Sequence, residues 1–173
     1  MTRFLAPALL GSSLLAATLA LGGCAGFQPL YGQEAVVHGL AGIQVTAPEG
    51  RTGYLLRQHL DDAFAKNHEA APTYTMALSI SEARYPRGVR VDNVATRYEY
   101  VLTTAYTLKT VATGAVVKTG QVRVELTYDS ADQPYASISA QQDAADRAAD
   151  ESSRRIEQAL AAWFADGAKV ATR

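Results

Sequence analysis

Three groups of polar residues in the chain have types and spacing that could do chemistry. His59 followed by Asp61 and Asp62 invites acid–base or metal-ligand work. No second His stands at helical ligand spacing and there is no HExxH, so the charges read as a solvated helix face. His38 and His68 have no ligand partners in sequence. Asp143, Asp146, Asp150 and Glu151 form an acidic run, but Arg147, Arg154 and Arg155 interleave with them at spacings that make helix-surface ion pairs. No nucleophile stands with a supporting base, no phosphate loop is present, and neither a metal nor a cofactor is expected: the sequence does not read as an enzyme.

The third group is cationic. Arg84, Arg87 and Arg90 fall within seven residues with no acid between them, and Arg97 follows Asp92. They bracket Pro86-Arg87-Gly88, a turn between two strand patterns. One reading is a charged hairpin tip that protects a sheet edge. The other is an anion site, because guanidinium groups suit bidentate phosphate contacts, and Tyr85 and Val89 beside them could meet the acyl part of a phosphorylated amphiphile.

The residues that must position these groups belong to one domain. Residues 1–23 have an early cation, Arg3, an apolar stretch from Phe4 to Leu21, and then Gly22-Gly23 before Cys24, the only Cys of the chain. That order is a cleavable leader. Pro7 and Gly11 weaken the competing membrane-helix reading, and Leu21-Gly22-Gly23-Cys24 resembles the lipobox of bacterial lipoproteins, with Cys24 as the acylated first residue of the mature chain. With no second Cys there is no internal disulfide. Ala25 is not an Asp, so the outer membrane, on its periplasmic side, is the expected destination.

Cleavage leaves 150 of the 173 residues. The 16 Lys and Arg, less Arg3, then stand against 17 Asp and Glu, a balance of minus two that gives no reason to expect nucleic-acid binding. We expect a tether over 24–38, a domain over 39–166 and a short tail over 167–173. Gly39 to Ala47 reads as a first strand, and Leu56, Leu60 and Phe64 mark an amphipathic helix between Thr52 and Asn67. Period-two alternation then recurs three times: Tyr74 to Ile80, Tyr98 to Leu108, and Val122 to Tyr128. Pro134 closes the strands, and Ser139 with Gln142 has the form of a capping box opening a last helix that Gly167 ends. The order β-α-β-β-β-α predicts an α+β two-layer sandwich: a four-stranded, mostly antiparallel sheet with two helices on one face and a polar opposite face.

The mature start Cys24-Ala25-Gly26-Phe27-Gln28-Pro29-Leu30-Tyr31-Gly32 resembles that of the lipopolysaccharide-assembly lipoproteins, the LptE (RlpB)-like family, in its short alphaproteobacterial form. The resemblance continues through Ile43-Gln44-Val45, Leu55 to Leu60, Ala95-Thr96-Arg97-Tyr98, and Tyr135 to Ala144. It implies a partner, an LptD-like outer-membrane β-barrel in which the lipoprotein sits as a plug, and a ligand, lipopolysaccharide. By position it carries the basic ligand role to Arg90, with Arg87 beside it, while Ile138 stands near a position where some relatives are basic. Thr103, Arg123 and Thr127 on the polar sheet face are the expected barrel-facing residues. Two other classes stay open, an accessory lipoprotein of an ABC-type periplasmic lipid-transport system and a periplasmic hydrolase.

Overall fold

The computed structural model describes residues 32–64, 71–88, 91, 95–130 and 133–171. The leader, Cys24, most of the tether, His68 and Arg90 lie outside them. The elements run α1 (Glu34–Ala41), β1 (Ile43–Thr46), α2 (Arg51–Ala63), β2 (Tyr74–Pro86), β3 (Arg97–Thr110), β4 (Val116–Asp129) and α3 (Pro134–Ala171). The sheet order is β1-β2-β3-β4. β1 runs parallel to β2, as a strand–helix–strand crossover requires, and the remaining pairs are antiparallel.

Even-numbered residues of β2 and β3 face the helices. Met76, Leu78, Tyr100, Leu102, Tyr106 and Leu108 are buried on that side, joined by Val124 and Tyr128 of β4. Thr104 shares the face and is fully buried; its hydroxyl accepts a bond from the equally buried Ser152 of α3 at 3.1 Å. Opposite them, α2 contributes Leu56 and Leu60, with Phe64 at its end, and α3 contributes Ile156 and Leu160. The central part of α3 packs through small residues, Ala144, Ala145, Ala148, Ala149, Ser152 and Ser153, all buried. Small side chains at i, i+4 spacing let a helix axis lie close to a sheet.

Three boundaries differ from expectation. A third helix, α1, occupies residues expected to be tether and early strand, held by Val36 and Leu40, which share one face and are buried. Its Gly39 lies under the Phe164 ring of α3, where a Cβ would stand 2.6 Å from the ring. The last helix opens at Pro134, not Ser139, because a proline lacks the amide that the first turn leaves unbonded anyway. It then runs past Gly167 to Ala171, the exposed glycine being tolerated inside it. The turn into α2 depends on two glycines. Gly50 has φ 113°, and a Cβ on Gly53 would stand 2.0 Å from the Pro48 carbonyl oxygen. Among the described residues no helix is long and apolar enough to cross a membrane.

Candidate functional site: a polar groove and an open sheet face

The cationic cluster of the sequence divides between the two faces of the sheet. β2 continues to Pro86, so Arg84 lies on the helix side, opposite Tyr100, and its Nη1 donates to Gln141 Oε1 of α3 at 2.5 Å. Arg87 lies on the open side, where its Nε donates to Glu99 Oε2 at 2.6 Å and its guanidinium stands 6.0 Å from the Tyr85 ring centre. Arg97, also on the open side, donates to Asp129 at 2.8 Å, and that carboxylate raises the guanidinium's pKa further.

Arg84 borders a groove of about 430 Å3 between the strand ends and the first turns of α3, lined also by Tyr98, Tyr128, Ser130, Ser137 and Gln141. Tyr98 and Tyr128, directly opposed across the β3–β4 pair, stack with centroids 5.6 Å apart and planes 17° from parallel. The hydroxyls of Ser130 and Ser137 are bonded at 2.9 Å. Nearby, the Tyr100 hydroxyl donates to Glu82 at 2.7 Å, and burial first, then that carboxylate, pushes its pKa well above the usual value. A guanidinium, a carboxamide, two hydroxyls and a phenol platform suit a sugar bearing an anionic group. No group among them is placed as a nucleophile with its base.

The open face is polar along its length. Thr103 stands opposite Arg123, and Glu99 opposite Thr127. Arg123 Nε donates to Glu125 at 2.6 Å and holds that carboxyl below the usual range, with Glu99 and Arg87 contributing. Val101, buried amid these groups, is the apolar centre of the face. At the outer edge Arg155 of α3 reaches the Arg123 carbonyl at 3.1 Å and Glu151 at 2.7 Å, lowering the Glu151 pKa. Thr103, Arg123 and Thr127 therefore share the solvent-facing side, with Thr103 half-buried and the other two exposed.

The acidic run on α3 is ion-paired: Asp143 with Arg147 at 2.9 Å, and Asp150 with Arg154 at 3.0 Å. Asp146 instead accepts Arg51 Nη2 on both carboxylate oxygens, at 3.0 and 2.9 Å, which ties the start of α2 to α3. His59 is half-buried on α2 and His38 exposed on α1. The groove residues Gln141, Ser130 and Ser137 were not singled out from sequence, since only the sheet register brings Arg84 to a helix more than fifty residues away.

Comparison with known proteins completes the assignment. No curated protein matches the chain. A crystal structure of a chain assigned as a lipoprotein from Caulobacter crescentus CB15 is 48% identical and superimposes with a TM-score of 0.66, over 76% of this chain and 96% of that one. The rare lipoprotein B from Shewanella oneidensis (12% identity, TM-score 0.56, 72% and 95% coverage) and lipoprotein B from Nitrosomonas europaea (16%, 0.54, 73% and 86%) share the fold. The family described as LptE, Lipopolysaccharide-assembly, matches residues 40–160. The chain is thus a member of the LptE lipopolysaccharide-assembly family.

Proposed function

We propose that this protein is an outer-membrane lipoprotein, acylated on Cys24, that seats its domain in the lumen of an LptD-like β-barrel, helps that barrel assemble, and assists lipopolysaccharide insertion. The observation that supports the plug role is the open sheet face. No described helix covers it, and it presents Thr103, Arg123, Glu125 and Thr127. Such a surface offers hydrogen bonds and bound water, which match a polar barrel lumen better than a dry partner. For the ligand, the groove of Arg84, Gln141 and the two tyrosines is the better-formed site, because Arg87 and Arg97 are already engaged by carboxylates.

Photo-crosslinkers at Thr103, Arg123 and Thr127 should capture the barrel in cells, and ones at Leu78, Leu102 and Leu160, which are in the core, should not. A correctly acylated and localised protein that gave no barrel adduct from the open face would sink the plug reading and favour a lipid-transport accessory. Mass spectrometry of the mature N-terminus tests the acylation, and a free thiol on Cys24 would remove it.

A further inference from the structure

The end of the sheet remote from the groove carries a second surface. The β3–β4 hairpin turns through Val111 to Ala115, with Gly114 at φ 67°. Val111, Val116 and Val117 are 51%, 54% and 36% exposed. A register shift between Leu108 and Lys109 produces this: Lys109 pairs with Val116 and Leu108 with Lys118, leaving Val117 as the extra residue. Two consecutive valines are thereby exposed where regular pleating would turn one inward. Lys109 and Lys118 flank the valines, and from Tyr100 to Val124 the chain has no Asp or Glu. A tip that is apolar at its apex and cationic at its base matches an anionic bilayer surface, whose headgroup phosphates meet the ammonium groups while short apolar side chains enter the acyl boundary.

The place of the tip in the fold agrees. The Val111 amide donates to the Thr73 carbonyl, and the amides of Thr73 and Tyr74 donate to the carbonyl of Gly42, the residue that ends α1. The hairpin is thus bonded through one residue to the segment by which the N-terminus joins the domain. Gly32 lies eight positions after Cys24, a reach of at most about 30 Å, and α1 adds only about 12 Å.

We infer that the β3–β4 hairpin projects from the periplasmic mouth of the barrel and rests on the anionic phospholipid leaflet beside the acylated N-terminus, with Val111, Val116 and Val117 at the acyl boundary and Lys109 and Lys118 among the phosphates. The inference rests on the acylation of Cys24. The acyl chains hold the domain to the bilayer; the hairpin fixes which end of it faces the lipid.

The test uses the full acylated lipoprotein reconstituted in phosphatidylethanolamine vesicles containing phosphatidylglycerol. Val116→Cys, or Thr127→Cys at the other end of β4, takes an environment-sensitive fluorophore, the Cys24 thiol being blocked by its lipid. A label at 116 should shift to the blue and be quenched by lipids brominated near the headgroup; a label at 127 should do neither. Lys109→Gln with Lys118→Gln should weaken the contact on the order of tenfold. Vesicle flotation reports the anchor separately. Flotation without quenching at 116, or with equal quenching at 116 and 127, overturns the hairpin contact and leaves the anchor standing. Failure to float overturns both.

Discussion

Arg87 and Glu99 are joined across the β2–β3 pair on the open face, Nε to Oε2 at 2.6 Å, with the carboxylate mostly sheltered and the guanidinium largely exposed. The guanidinium is therefore committed to an internal partner, although the sequence around it holds no acid between Glu82 and Asp92. Glu99→Gln should free Arg87 for anions and tighten lipopolysaccharide binding. Arg87→Ala should leave that binding nearly unchanged but cost about 1–3 kcal/mol of stability, because it leaves the mostly sheltered Glu99 carboxylate without this partner. Titration with purified lipopolysaccharide and a thermal melt measure both.

Arg84 is the contrasting case, since its partner Gln141 is neutral and both line the groove. Arg84→Ala should weaken lipopolysaccharide binding about tenfold or more, the range for losing a charge-assisted bond. The midpoint of thermal unfolding should stay within a few degrees. Equal binding by the variant would move the ligand away from the groove.

Thr104 and Ser152 are a buried polar pair bonded side chain to side chain between sheet and helix. Thr104→Val leaves the Ser152 hydroxyl without that partner and should cost about 1–3 kcal/mol. The double variant Thr104→Val with Ser152→Ala should cost less than the sum of the single changes, since neither group is then orphaned. Denaturant titration of the four proteins gives the coupling directly.

Burial, aided by Glu82, raises the Tyr100 pKa, and burial alone raises that of Tyr106. A folded-state pKa above the unfolded value means that these groups contribute fully below about pH 10. The contribution is lost as pH climbs from there toward the folded value. Stability should therefore fall steeply above pH 10. In Tyr100→Phe the fall should be shallower, which chemical denaturation at stepped pH would show.

Strand parity was the most legible feature of the sequence. The alternation of Met76, Leu78 and Ile80, and of Tyr98 through Leu108, gave the buried face correctly, as did the sheet of four strands with helices on one side. Parity also contains the separation of Arg84 from Arg87, three residues apart and so on opposite faces of a strand. It was missed because Pro86-Arg87-Gly88 reads as a turn, where parity does not apply, whereas pairing with Tyr98 carries β2 through Pro86. Helix α1 was missed for a different reason. Eight residues with an internal glycine have little helical propensity of their own, and burial of Val36 and Leu40 against the rest of the domain supplies what propensity lacks. The groove has no local signature at all: its two walls meet only after the meander and α3 have docked.

The run of alanines and serines on α3 also sets the calibre of the molecule. A seam of leucines would hold the helix farther from the sheet, and the slab would be thicker by the depth of the longer side chains. With methyl and hydroxymethyl groups there, the two layers close to a thin profile along Ala144 to Ser153, the central part of a helix of 38 residues. Ala148→Leu or Ala149→Leu would thus do more than strain the core. It would widen the domain, and under the plug role proposed above a body that enters a cylinder of fixed bore is limited by its width long before it is limited by its stability.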